Sequence, residues 1–324
     1  MTTEDVFLND DKLRSICGFF LSLVLIIITS SFAYTLARHF SHLMSAGPSV
    51  WYRLFFFNAV FELLALLGSY KVMTLIFERK PLGVVGLAFH SRTVNELCGG
   101  LSIGGIMFGM VGAGESLLGL AQFTRNPLPV RVEFAEGGLL FLFLIMAAAN
   151  EELVFRGYPF QRLIELVGPV GAVAVSSAIF GLMHLGNPHH TWISTANTML
   201  VGVAFSIAYL RTRSLWMPLG MHFMWNYVQG FVFGFPVSGV GCSSSLLVAQ
   251  VRGAAWLTGS GYGPEGGLLC TGAVAAAVVY LLTSPRISIS ERMRALVFGP
   301  SMDRAASAED QISLGLERNG DGPA

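Results

Sequence analysis

Three short runs in this sequence hold residue types that can do acid–base chemistry at spacings that could share a site: Glu151-Glu152-x-x-x-Arg156, Phe180-x-x-x-His184 and His222-x-x-x-Asn226. On a helix Glu152 and Arg156 stand at i and i+4 on one face, where a carboxylate and a guanidinium pair. Glu151 points about 100° away, so one acid is neutralised locally and the other is left to face a different neighbour. A carboxylate with two imidazoles and a carboxamide can activate a water and hold a developing oxyanion. Two histidines and a glutamate can equally ligate zinc, with a water in the open position.

The elements that must position these groups are apolar. The 324 residues are 53% hydrophobic and 12% charged, with zero net charge and a mean hydropathy of +0.62, against about 25% charged in an average soluble domain. Residues 166–210 and 214–251 contain no Asp, Glu, Lys or Arg. Such a composition excludes a soluble globule, a disordered chain and an electrostatic nucleic-acid binder. It implies an all-α polytopic membrane protein.

A spanning helix needs roughly 20 apolar residues. Windows of that length fall at about 16–37, 51–77, 97–121, 136–156, 169–187, 192–210, 214–235 and 267–284, giving about eight transmembrane helices. The first is too long for a signal-peptide core and lacks a small-x-small cleavage site, so it reads as a retained span. With the N-terminus inside, inner segments carry 15 Lys and Arg and outer loops 5, which places both termini in the cytoplasm.

The chain then divides into a cytoplasmic tail at 1–14, N-terminal spans with an inner interfacial loop at 15–135, and a membrane-embedded core at 136–235. An outer loop, a last span and its inner flank follow at 236–300, and a disordered cytoplasmic tail at 301–324. The loop 78–96 reads as interfacial, and the Gly- and Ser-rich loop 236–266 as irregular. No internal repeat of the transporter kind is evident.

An ionisable group at bilayer depth costs at least about 2.5–3.5 kcal/mol, so each asks for a partner or a task. Glu62 and Glu115 stand alone in their spans and read as protonated, hydrogen-bonded packing residues. His189 and His190, beside Asn187-Pro188, read as solvated interfacial groups. The four cysteines, Cys17, Cys98, Cys242 and Cys270, have no CxxC or scaffold spacing and read as small hydrophobes. Two adjacent acids at 151 and 152 are too costly to be only a cap or a topology marker.

Taken together, the three runs resemble the signature of the CPBP intramembrane proteases, which include type II CAAX prenyl endopeptidases and bacteriocin-processing or immunity proteins. The resemblance covers about residues 136–230. It implies a membrane-embedded endopeptidase that hydrolyses a peptide bond at or within the membrane, in CAAX-type or peptide-maturation activity. By the resemblance, Glu151 and His184 activate water, His222 and Asn226 form the oxyanion hole, and Arg156 holds Glu152 and orients the helix end. Metal dependence stays open: zinc, if used, would take Glu151, His184 and His222, whereas Asn226 suits an oxyanion hole better than a zinc site. Implied partners are membrane lipids and a peptide or protein substrate, lipidated or not, with no nucleic acid. The expected location is a prokaryotic inner membrane. The alternative is a non-proteolytic scaffold, a bacteriocin self-immunity protein or a proton-coupled carrier.

Straight helices cannot join these groups. At 1.5 Å per residue Glu151 lies about 8 Å, His222 about 12 Å and His184 about 22 Å from the inner ends of their spans. A distortion is therefore expected among Gly157, Pro159, Gly168 and Pro169, starting the fifth helix within the membrane.

Overall fold

Long uncharged runs with no water to satisfy their backbone must close their hydrogen bonds within the segment, and they do so as helices. The computed structural model describes residues 10–43, 50–242 and 244–298. In chain order these form α1 (Asp10–Leu43), α2 (Val50–Met73, continued by a π turn over Thr74–Glu78), α3 (Thr93–Leu117), β1 (Ala121–Arg125), α4 (Val130–Arg156), α5 (Tyr158–Met183) and α6 (Trp192–Thr212). Then come α7 (Trp216–Tyr227, continued by a π turn over Val228–Val232), β2 (Leu247–Val251), the short α8 (Ala255–Thr258), α9 (Leu268–Thr283) and α10 (Glu291–Phe298).

The outer surface is apolar. Phe20, Ile27, Ile28, Phe32, Leu64 and Ile106 are all exposed, as suits side chains solvated by lipid tails rather than water. Among the described residues five helical segments are long and apolar enough to cross a membrane: Lys12–Ser41, Leu54–Glu78, Thr93–Leu117, the 57-residue run Val130–Gly186 through α4 and α5, and Trp192–Thr212. The chain is a polytopic all-α membrane protein. Each of the eight apolar windows holds a helix, but those of the seventh and eighth are short: α7 has 12 residues before its π turn, and α9 has 16.

Helix α7, which carries His222 and Asn226, lies directly on α3. A Cβ on Gly100 would sit 2.2 Å from the Met217 carbonyl oxygen, and one on Gly104 2.2 Å from that of Met221. Gly100-x-x-x-Gly104 thus lets two backbones touch, the contact that drives helix association where lipid removes the hydrophobic force. Around this crossing Phe108, Met221, Trp225, Phe235 and Cys270 form one buried cluster. A second joins Leu66, Tyr70, Tyr158, Phe160 and Tyr209, and Tyr70 donates to the Leu153 carbonyl at 2.9 Å, tying α2 to α4.

The expected distortion falls inside α5 at Gly168, whose φ of 76° and ψ of 168° break the helix just before Pro169. Only glycine takes this conformation without steric cost. The preceding turns are polar: Arg162 pairs with Glu78 at 2.9 Å and with Glu165 at 2.8 Å, and Ser15 donates to Glu165 at 2.5 Å. The uncharged part of α5 begins at Leu166, just before this break.

Helix α1 starts at Asp10, within the stretch 1–14 expected as a tail. Two expectations need correction. The loop 236–266 is structured: β2 pairs antiparallel with β1 in the register Phe123↔Ala249, and α8 and two 3-10 turns follow. Glu115 is fully buried, yet among the described residues neither oxygen has a hydrogen-bond partner, unlike Glu62, which accepts from Ser30 at 3.0 Å and Asn58 at 3.4 Å. The expected tail at 301–324 lies outside the described residues.

Candidate active site

The last turn of α4 carries Glu152 and Arg156 into the protein interior, with the Glu151 side chain about 40% exposed beside them. Arg156 is fully buried, so each of its donors must be met from within. Its Nη1 approaches Glu152 Oε1 at 3.3 Å, its Nη2 donates to the Gly202 carbonyl at 2.9 Å, and its Nε reaches Ser206 Oγ at 3.5 Å. Its guanidinium also lies 4.8 Å from the ring centre of Phe180 and 5.4 Å from that of Phe205. Arg156 thus pins the end of α4 to α6 while pairing with Glu152, the i,i+4 partner that helical spacing implies.

Tertiary packing then adds His222. Its Nδ1 lies 2.9 Å from the same Glu152 Oε1, and its Nε2 lies 3.7 Å from Glu151 Oε2. One imidazole therefore stands between the two adjacent carboxylates, with its ring stacked on Phe205 at 5.0 Å. A carboxylate oxygen accepts, so Nδ1 carries the proton in this contact and Nε2 is turned toward Glu151. Among the described residues, the inward oxygen of Glu151 has no hydrogen-bond partner.

His184 begins the 3-10 turn that ends α5, and its Nδ1 donates to the Phe180 carbonyl at 2.7 Å. That bond leaves the Nε2 lone pair of neutral His184 available. Phe180 is edge-on to both imidazoles, 4.9 Å from His184 and 6.3 Å from His222. His184, His222 and Asn226 line one cavity together with Phe180, Phe205, Trp225 and Glu265. Its volume of about 30 Å³ accommodates a water or two but no peptide. Glu151 and Glu152 adjoin it through His222 without lining it.

Glu265 and Asn197 were not apparent as site residues from the sequence. Both line the cavity. The side-chain amide of Asn197 donates to the Glu265 and Gly267 carbonyls at 2.8 and 2.9 Å, which fastens the loop before α9 to α6. A signal for Glu265 existed, since it is the one charged residue between Arg252 and Arg286. His189 and His190 are exposed, and Glu62 and Glu115 do not line the cavity.

Among the described residues no three His, Cys, Asp or Glu side chains are gathered as a metal site. The Nδ1 contacts of His222 with Glu152 and of His184 with the Phe180 carbonyl leave Nε2 of each imidazole as the nitrogen not engaged there.

Residues 135–228 match the model of the family described as Rce1-like, type II CAAX prenyl endopeptidase. The chain is also 34% identical over 82 residues to the Bacillus subtilis (strain 168) protein described as "Putative membrane peptidase YdiL". That alignment covers 25% of this chain and 32% of the relative's length, and the family match likewise leaves both ends of the chain outside it. The site residues from Glu151 to Asn226 lie wholly within the segment that matches this family's model.

Proposed function

We propose that this protein is a membrane-embedded endopeptidase in which Glu151 and His184 activate water and His222 and Asn226 stabilise the tetrahedral oxyanion. The observation that carries the reading is the placement of His222 between Glu152 and Glu151. With Nδ1 held by Glu152, the imidazole offers Nε2–H to an oxyanion only when it carries both protons. Two carboxylates, one guanidinium and one imidazolium then sum to zero charge, which offsets the cost of burying Glu152 and Arg156. Glu151 takes a proton from water as the oxygen attacks the substrate carbonyl carbon. The oxyanion is received by His222 and Asn226, and the proton passes to the departing amine as the C–N bond breaks.

The water-sized cavity implies that the helices part to admit a peptide. Substrates are peptides or proteins presented at the membrane, prenylated or not, and both termini of the enzyme face the cytoplasm of a prokaryotic cell. A C-terminal alkaline phosphatase fusion that is active outside the cytoplasm overturns that orientation.

The test uses proteoliposomes containing the wild-type protein and membrane-tethered reporter peptides, with and without a prenyl group, and mass spectrometry of the products. Cleavage by the wild type and its loss in Glu151→Gln, His184→Ala and His222→Ala support the reading. Unchanged cleavage in any one variant removes that residue from the mechanism, and no wild-type cleavage favours the scaffold, immunity or carrier alternatives.

A further inference from the structure

Outside the matched segment, the loop 236–266 closes one wall of the cavity through a single carboxylate. The Trp225 indole N–H donates to Glu265 Oε1 at 3.1 Å. Ser238 donates twice to Oε2, from its backbone N–H at 2.6 Å and its hydroxyl at 3.0 Å. Every partner of Glu265 in these contacts is a donor, so the carboxylate binds two separate parts of the fold at once. One is α7 at the residue before Asn226. The other is the turn that follows α7, where Gly239 N–H also donates to the Tyr262 carbonyl at 2.8 Å.

The position on α7 is sensitive. The helix leaves α-geometry at Val228, two residues beyond Asn226, and runs as a π turn to Val232. Such a register change lets the outer end of a helix rotate, and π turns of this kind recur at functional sites. Between that turn and the α3 crossing at Met217 and Met221, Trp225 is held by Glu265 and, edge-on, by Phe108 at 5.2 Å. On a helix, fixing Trp225 fixes the direction of its neighbour Asn226 and of His222 one turn earlier.

We propose that Glu265 is a positioning residue: through the Trp225 indole it sets the rotation of the α7 turn that presents His222 and Asn226, and through Ser238 it holds the cavity wall in place. The proposal rests on the peptidase reading above and extends its machinery to a loop beyond the family match. It does not make Glu265 a group that touches the reacting atoms.

The experiment compares wild type, Glu265→Ala, Glu265→Gln, Trp225→Phe and the double variant Glu265→Ala/Trp225→Phe in detergent micelles and proteoliposomes. Folding is checked by thermal melting. The first readout needs no substrate: the ¹⁵N-indole resonance of Trp225, assigned by its loss in Trp225→Phe, and its hydrogen exchange. Glu265→Ala is expected to shift that resonance and speed its exchange at least about tenfold, with Glu265→Gln intermediate because its amide keeps one accepting oxygen. The second readout is kcat and KM on the reporter peptide that wild type cleaves. Glu265→Ala and Trp225→Phe are each expected to lose about tenfold to a hundredfold in kcat, the cost of a small misplacement of reacting groups, with KM within threefold. The double variant should fall no further than the worse single one.

Unshifted indole exchange in Glu265→Ala overturns the proposal whatever the enzyme cleaves, as do losses that multiply in the double variant or that fall in KM alone. If the wild type cleaves no reporter while the indole responds as expected, the peptidase reading fails and the link between Glu265 and α7 stands.

Discussion

His222 Nδ1 and Glu152 Oε1 are 2.9 Å apart although 70 positions separate them in the chain. The same oxygen also receives Arg156. Glu152 is therefore the hinge of the site, ionically balanced by its own helix and aimed at an imidazole on another.

The buried pair sets a stability prediction. Removing Arg156 alone leaves the buried Glu152 without the guanidinium that balances it on its own helix. Arg156→Met should cost about 3–5 kcal/mol, the usual penalty for stranding a buried charge. Adding Glu152→Gln should recover part of that loss, because the stranded charge is gone. Chemical or thermal unfolding in detergent measures both. A double variant no more stable than Arg156→Met would show that the guanidinium acts through Gly202 and the aromatic rings and not through Glu152.

The oxyanion assignment sets a kinetic one. Asn226→Ala should lower kcat by about 10²–10³-fold, as expected for losing one preorganised donor, with melting unchanged. Asn226→Asp should be no better, since a carboxylate repels the oxyanion. Recovery of activity in Asn226→Asp would reassign the residue to binding a cation.

Two glycines on one helix test the α3–α7 contact. Gly104→Ala would place a methyl 2.2 Å from the Met221 carbonyl oxygen and should cost about 1–3 kcal/mol, as overpacking does, with loss of activity through His222 one residue away. Gly109→Ala meets nothing within 4 Å and should be neutral or stabilising by up to about 1 kcal/mol. Equal melting temperatures for the two would refute close backbone contact.

A further prediction concerns pH on the loop between α2 and α3. His90 has its pKa held below the ordinary 6.5 by burial first, then by Arg292 and Arg92, while its Nε2 lies 3.5 Å from Glu96. A lowered histidine pKa means the unfolded chain takes up the proton first. This contribution to stability is present above about pH 6.5 and is lost as pH falls below it. His90→Gln should flatten that part of the melting-temperature profile measured between pH 5 and 8. A profile identical to wild type would show that other groups titrate there.

Local rules account for much of this protein. Lipid leaves a backbone no partner but itself, so the apolar windows and the charge-free runs were enough to place a helix at each. The i,i+4 rule was enough to pair Glu152 with Arg156, and the glycines and prolines from Gly157 to Pro169 were enough to mark the stretch in which α5 breaks. Each of these depends on residues within one or two turns of one another. The contacts that assemble the cavity do not. That His222 docks on Glu152, that Gly100 and Gly104 are where α3 meets α7, and that Glu265 reaches Trp225 from a loop expected to be irregular depend on how helices pack across long separations. Packing is set by the summed fit of many side chains, and no short pattern in the chain encodes it. The composition and spacing determined which groups were available for chemistry; the tertiary structure decided which of them face one another.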